Sequence, residues 1–535
     1  MEKGVQPPPP LVHARVHDLI VAQCQTRPSE PAIAAWNGHL TYHELDQCSS
    51  RLATQLAKLN VIQSGKIVPI LMEKSAGGAF LMDISFTDDP AYFDIDPSSQ
   101  SCEITKTPIL RVGGSRLLAD DEVGKGTHLQ SVYARPSDAC HGLFISGSSG
   151  DSRVVVIDHV AVCTAWAQLT ATQLALSSSS RVFQFGSHAF GASVAEYLGA
   201  MIHGACLCIA SELGTGNDKV KAIRELNANF ITLTPSASRL LDPNQVPSLQ
   251  VVILAGEVLG PLDLEKWQGQ VQLKCMYGLA ETAGFALLAD LTKPNSNYSG
   301  YWSADSSMEF LDRKRQHCRR SGTTWRGSLG RVYLNDPART VQNYIPAPSW
   351  LMQIRPTAPH DYRCLKTGGL VCHSSNGTIE YIRRKDVAEV KIRGQRVDLT
   401  HIERHLARQY PTATRVAVNI IIPSDDIGHS GIMLVGFIHI ESPQYGMQKK
   451  NEEIFASPTM ESREKATTVL SKLKEALLTF MVPDVVVILK RIPATTSGKL
   501  HCDRLRRLAS GLSRRALLAY GDIQPSETNN DWKDF

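Results

Sequence analysis

Residues 366–405 read KTGGLVCHSSNGTIEYIRRKDVAEVKIRGQRVDLTHIERH, and this stretch decides the architecture. It joins a Thr-Gly turn at Lys366–Gly369, a hairpin at Asn376-Gly377-Thr378, a charged triplet at Arg384-Lys385-Asp386 and the strand-like run VKIRGQRVDL. No ordinary packing requirement calls for all four in that order.

Outward from that stretch, bulk composition sets bounds. A chain of 535 residues exceeds one hydrophobic core and predicts roughly two to four domains. Hydrophobic residues at 43% and charged residues at 20% are ordinary for a globular chain. A net charge of +4 is small for this length, so neither nucleic acid nor a membrane surface is expected as partner. No apolar run reaches about 18 residues, which predicts no transmembrane helix. The first residues lack an apolar signal core and form a proline-rich lead-in. The twelve cysteines are scattered and never form CxxC, which reads as free thiols and a cytoplasmic location.

Residues 12–60 contain a short hairpin around Asn37-Gly38 and a helix starting near Thr41, where Thr41 and Glu44 make a capping box. Ile67–Met72 reads as a buried strand and Ala76–Ile84 as the next. Too few residues separate them for a parallel crossover, which needs about a dozen, so a deletion is expected there. Residues 84–140 and much of 291–345 look eroded. From 142 to 290, the apolar pieces GLFI, RVFQF, CLCIA, FITL, VVILA and KCMY alternate with helical stretches. That alternation predicts a parallel α/β sheet with helices on its faces. The expected organisation is α/β: a lead-in over 1–11, a large part over 12–383 with stacked mixed and parallel sheets (75–140 and 291–325 eroded), a small mobile α+β domain over 384–510, and a polar tail over 511–535.

Several motifs fall along this frame: LTYHEL at 40–45, the Ser/Gly loop at 146–150, FGAS at 190–193, MYGLAET at 276–282, GRVYLNDPART at 330–340, and MVP at 481–483 ahead of PATTSGK at 493–499. With the 366–405 stretch they resemble the core motifs of adenylate-forming enzymes, most closely the amino-acid-activating domain of nonribosomal peptide synthetases. The resemblance covers roughly 30–510 and is strongest in the C-terminal half. It implies a two-lobed fold that converts a carboxylic or amino acid and ATP·Mg²⁺ to an acyl adenylate. Thioester formation on a separate phosphopantetheine-bearing carrier protein or on coenzyme A would follow, in secondary-metabolite assembly. The residues after Cys502 are too few for a packed carrier domain, so no phosphopantetheine is expected on this chain, which reads as a freestanding unit or a fragment.

The resemblance also implies roles for particular residues. Ser146, Gly147, Ser148, Ser149 and Gly150, with Arg153, would wrap N–H groups, hydroxyls and a cation around phosphates. Tyr277 would stack near adenine, beside Gly278. Glu281 would hold Mg²⁺, a hard cation suited to carboxylate oxygen, with Thr282 nearby. Arg384 would reach the ribose and Asp386 would be the hinge. Lys499 would be the catalytic lysine, brought by lobe closure onto the charge that grows on the transferring phosphoryl group. The acid pocket would be lined by Gly191, Ala192, Ala195, Thr232, Ile253, Ala255, Met276, Gly284 and Phe285, a small apolar set.

This sequence departs from the family pattern at several of those positions. Gly191 replaces the aspartate that pairs with an α-ammonium, and an unpaired buried charge costs about 3–5 kcal/mol. Gly369 replaces the aspartate that accepts the ribose hydroxyls, a bond of about 1.5–3 kcal/mol. Arg153 stands for lysine, while Ser152 and Val154 replace proline and glycine, and one residue is added between Asp386 and Val390. These departures admit two alternatives: a catalytically impaired remnant with a binding or regulatory role, or an acyl-coenzyme A ligase acting on a non-amino acid.

Overall fold

The structure is a computed structural model that describes residues 11–58, 74, 134–145, 153–167, 174–187, 191–211, 216–257, 259, 261–284, 286–292, 301–302, 308–310, 319–323, 329–349, 363–373, 379–384, 389–392, 395–426, 432–440, 454–491, 493 and 502–521. Most of the segments expected to be eroded, and the short link after Lys74, lie outside these residues.

The hairpin expected near Asn37 is β1 (Pro31–Ala35) and β2 (Gly38–Thr41). The helix Tyr42–Lys58 follows. Its N-terminus is closed reciprocally: the Glu44 carboxylate accepts from Thr41 N at 2.8 Å, and Glu44 N donates to Thr41 Oγ1 at 3.2 Å.

The central sheet uses β5 (Arg181–Phe183), β6 (Cys206–Ile209), β7 (Phe230–Leu233), β8 (Val251–Ala255), β9 (Gln272–Tyr277) and β10 (Leu287–Asp290). Its eight strands run in the order β10-β9-β8-β7-β5-β6-β1-β2. The inner pairs are parallel, and the outer pairs β10–β9 and β1–β2 are antiparallel. Strands buried on both faces need continuous apolar runs, which is why CLCI, FITL and VVILA carry no charge. Alternate residues sort to opposite faces. Val182, Phe230, Ile253 and Met276 join one core, while Phe183, Ile231, Val252, Leu254 and Cys275 join another.

The expectation of one parallel sheet from residue 142 needs correction. β3 (Ala139–Ile145) and β4 (Arg153–Asp158) form an antiparallel hairpin in a separate three-stranded sheet with β14 (Val332–Tyr333). The seven residues between them allow a direct return, so no crossover helix is required.

A third, antiparallel sheet contains β11 (Tyr301–Trp302), β12 (Met308–Phe310), β13 (Arg319–Thr323), β15 (Tyr344–Pro346), β16 (Arg363–His373) and β17 (Ile379–Arg384). The Thr-Gly turn is also corrected: Lys366–Gly369 lies inside β16. From Arg320 to Gly322 the partner strand advances two residues while β16 moves from Leu370 back to Lys366, so the extra length bulges out. Gly368 takes the positive φ of 74° within that bulge, a conformation glycine adopts without steric cost. The run VKIRGQRVDL is likewise two strands, β18 (Glu389–Ile392) and β19 (Gln395–Asp398), paired as a hairpin.

Beyond them, β20 (Ala413–Ile421), β21 (Met433–Ile440) and β22 (Val485–Leu489) form the C-terminal sheet. The helix Leu399–Gln409, capped by Asp398 at 2.8 Å, packs on it with the helix Met460–Ala476. This region was expected to end near 510. The chain instead folds through 521: the helix Arg514–Leu518 inserts Leu517 and Leu518 into the same core as Val485 and Phe437. Two apolar anchors therefore hold a segment expected as tail. Eight cysteines, among them Cys24, Cys206, Cys208 and Cys275, are free thiols, and among the described residues no helix is long and apolar enough to cross a membrane.

His159 opens the short helix His159–Cys163, fully buried, with its Nδ1 accepting from Val16 N at 3.2 Å. Burial, helped by nearby His17 and His141, pushes its pKa down to about 4. The unfolded chain takes up this proton near the ordinary value of about 6.5. Stability from His159 is therefore complete above that value and declines as pH falls toward 4. Denaturant titrations from pH 7 to 4.5 are expected to show that loss. His159→Gln, which keeps an acceptor for Val16, should lose less over the same interval.

Candidate active site

Five of the inferred pocket positions converge on one cavity. Thr232 of β7, Ile253 of β8 and Met276 of β9 face it from the sheet, and Ala192 and Ala195 face it from the helix Gly191–Ile202. The register explains the convergence: Thr232 lies opposite Ile253, and Ala255 opposite Met276, on adjacent parallel strands. Ala255 and Tyr277 end their strands at the carboxyl edge, where ligands of open α/β sheets bind. Gly191 begins the helix. Gly284, at φ 81°, lies so that an added Cβ would stand 4.0 Å from the Gly191 carbonyl oxygen. Phe285 lies outside the described residues.

Seven further residues that the sequence did not single out line the cavity, among them Trp166, Leu174 and Glu196. Glu196 is a lone carboxylate on a helix buried from Ser193 to Ile202. Its Oε2 accepts from Gly186 N at 3.1 Å and Gln184 Nε2 at 3.3 Å. Burial pushes its pKa up to about 8, opposed chiefly by Lys74. Lys74, itself buried, donates to the Phe185 carbonyl at 2.9 Å. The available signal was a single charge inside an otherwise apolar helical run, where a polar group must find partners.

Glu281 lies on a tight turn, Ala280–Thr282, just beyond β9. Thr282 holds that turn: its Oγ1 accepts from Leu279 N at 3.1 Å and donates to Leu279 O at 3.0 Å. Thr282 is thus a structural cap here. The Glu281 side chain is 3% exposed. Its Oε1 accepts from the Tyr333 hydroxyl at 2.8 Å, and its carbonyl from Gly330 N at 2.8 Å. Asn343 Nδ2 in turn donates to the Tyr333 hydroxyl at 3.2 Å. The motifs MYGLAET and GRVYLNDPART therefore meet through one carboxylate, a link the sequence left unassigned.

β14 carries Tyr333 and pairs with β4, Tyr333 lying opposite Val155. β4 begins at Arg153, opposite Ile145 of β3. The loop 146–150 is outside the described residues, but the strands that flank it, β3 and β4, are both on the same sheet as Tyr333. Arg153, expected among the phosphate-binding residues, is a buried residue of β4. Val154, where the family has glycine, is accommodated from across the hairpin: an added Cβ on Gly142 would meet Val154 Cγ1 at 2.8 Å.

On the third sheet, Gly369 and Arg384 are cross-strand partners. The backbone thus juxtaposes the two positions expected at the ribose. Asp386 and Lys499 lie outside the described residues.

A Mg²⁺ ion is tested by the chemistry of its donors. Among the described residues no group of three or more His, Cys, Asp or Glu side chains could hold a metal. A single buried carboxylate does fit Mg²⁺, which keeps several waters and takes its remaining ligands from substrate phosphates.

A large mixed α/β part with a cavity between its central sheet and the helix Gly191–Ile202, followed by a smaller C-terminal sheet, is consistent with the architecture of adenylation domains. The profile of the AMP-binding enzyme family matches residues 87–338. Over nearly all of its length the chain is similar to nonribosomal peptide synthetases, and its fold to that of their adenylation domains. It is similar to the nonribosomal peptide synthetase astA of Aspergillus oryzae, at 35% identity over 97% of this chain and 42% of that protein. It is also similar to D-lysergyl-peptide-synthetase subunit 2 of Epichloe festucae var. lolii, at 32% over 97% of this chain and 41% of that protein. The chain thus spans less than half the length of either relative. Among solved structures, holo-PA1221, an NRPS protein containing adenylation and PCP domains, superimposes with a TM-score of 0.68 at 19% identity, covering 93% of this chain and 84% of that one. The o-succinylbenzoate CoA synthetase of Bacillus subtilis gives 0.67 at 14%, covering 93% and 99%.

Proposed function

We propose that this chain activates a carboxylic acid lacking an α-ammonium group, using ATP and Mg²⁺, and passes the acyl group to a separate thiol partner, a carrier protein or coenzyme A. The observation that carries this reading is Gly191, at the start of the helix Gly191–Ile202, where the family's counter-charge would stand, beside a mainly apolar cavity between that helix and β7, β8 and β9. In the reaction, one carboxylate oxygen of the acid attacks the α-phosphorus. The bond from that phosphorus to the bridging oxygen breaks, and pyrophosphate leaves with the bond's electron pair. Glu281, oriented by Tyr333, would hold the Mg²⁺ that screens the phosphate charge. The 146–150 loop would cradle the phosphates, Arg384 would reach the ribose and Lys499 would stabilise the charge growing on the α-phosphoryl oxygens. The 384–389 link, where the chain passes from the third sheet to the β18–β19 hairpin, would act as the hinge, with Asp386 as its pivot.

A second reading, a non-catalytic remnant that binds ligand without turnover, is favoured by Gly369. ATP-dependent pyrophosphate exchange with a panel of amino, aliphatic and aryl acids separates the two. Exchange with a non-amino acid is the expected result. No exchange with any acid, together with no shift in melting temperature on adding ATP, would establish the remnant. Gly369→Asp, at the register position paired with Arg384, is expected to lower the KM for ATP by about ten- to a hundredfold, the equivalent of one charged hydrogen bond.

A further inference from the structure

The cavity that would receive the acid is nearly closed. Its free volume is about 20 Å³, room for a single water molecule or a methyl-sized group. The small lining residues Ala192, Ala195 and Ala200 would leave a slot if nothing else entered it. The group that enters is Trp166. Its indole lies against the helix Gly191–Ile202, with Cε3 3.2 Å from where a Cβ of Gly199 would stand. The other end of the ring system, Cζ2, is 3.7 Å from the corresponding point on Gly284. The indole N–H donates to the Ala283 carbonyl at 3.0 Å, a buried bond that fixes the ring's rotation. Gly199 on one side and Gly284 on the other thus make the room that a flat bicyclic side chain requires.

We infer that Trp166 is the specificity-determining residue of this site: it fills the space that the small lining residues would otherwise give to substrate, so the acid activated is a short aliphatic one of about propionate size. The inference deepens the reading given under Proposed function and rests on it for the reaction, though not for the cavity. An apolar pocket distinguishes acids differing by one methylene by about 10–200-fold. An aryl group exceeds the room available by several such increments. Truncating an indole in a packed interior leaves a dry apolar void that accepts ring-shaped ligands.

The test compares the protein with Trp166→Ala and Trp166→Phe by two readouts. In pyrophosphate exchange, the protein is expected to prefer propionate to benzoate by at least about tenfold, Trp166→Ala to reverse that order, and Trp166→Phe to fall between. In the second readout, free indole in excess is expected to raise the melting temperature of Trp166→Ala and leave that of the unaltered protein unchanged. Trp166→Phe retains a ring in the core and keeps the question open to exchange measurements if the alanine variant does not fold. An unchanged order of acids in both variants overturns the inference, as does the absence of any indole effect on folded Trp166→Ala. Absence of exchange with every acid, accompanied by a clear indole response, would instead overturn the enzymatic reading and leave the role of Trp166 in the cavity standing.

Discussion

Replacing Arg239 by alanine is expected to cost about 3–5 kcal/mol of stability, the largest loss from any single substitution considered for this fold. The helix Pro235–Leu240 presents Arg239 to Asp263 on the helix Pro261–Trp267. The pairing is bidentate: Nε donates to Oδ1 at 2.6 Å and Nη2 to Oδ2 at 2.8 Å. Asp263 is fully buried and Arg239 is only 17% exposed. The geometry matches the fork of a guanidinium to the two oxygens of a carboxylate. What the alanine variant loses is mainly the partner of an ion that cannot reach water, which is why the penalty exceeds that of a surface pair. Denaturant unfolding followed by tryptophan fluorescence would measure it, because Trp267 is buried beside this pair on the same helix. The double variant Arg239→Met, Asp263→Leu should recover most of the loss, since it removes both charges and keeps volume. A double variant as unstable as the single one would show that the pair contributes through packing alone.

Gly191→Asp is expected to raise the affinity for α-amino acids by about 10²–10³. The site can admit the side chain with little rearrangement. An added Cβ would meet only Leu143 Cδ1, at 3.1 Å, the free end of a side chain that can shift by a few tenths of an ångström. The new carboxylate would stand at the first residue of a helix, where the dipole favours negative charge. Amino-acid-dependent pyrophosphate exchange is the measurement, with Gly191→Asn as the uncharged control. Equal gains for aspartate and asparagine would mean that shape, and not charge, limits amino acid use. No gain for either would show that position 191 does not face the acid.

Much of this was readable before any coordinates. The capping box at Thr41 and Glu44 is local chemistry, and it formed as written. The buried strands of the central sheet announced themselves as uncharged β-branched runs. The misreadings arose where local signals were outweighed by distant partners. Lys366–Gly369 looks like a turn because glycine and threonine favour one, yet β13 and β17 on either side hold it extended, and the glycines relax into a bulge. GLFI resembles every other strand of the parallel set. Only its partner β4, and β14 from far along the chain, assign it to a different sheet. Tyr333 reaches Glu281 across 52 positions and Lys74 reaches Phe185 across 111. No periodicity encodes such pairs. Trp166 was silent for a related reason: an aromatic residue in an apolar helical stretch reads as ordinary interior until the two glycines that accommodate it are seen in space.

The helix Gly191–Ile202 has a consequence for how this protein can change over time. Buried without a break from Ser193 to Ile202, it has no face that answers to solvent alone. Any substitution that reshapes what the site accepts also removes or crowds interior contacts, so new selectivity and tolerance to heat cannot be adjusted separately. A lineage that altered its acid preference along this helix would have had to acquire compensating changes elsewhere first, and directed evolution of this scaffold is best begun from a stabilised parent.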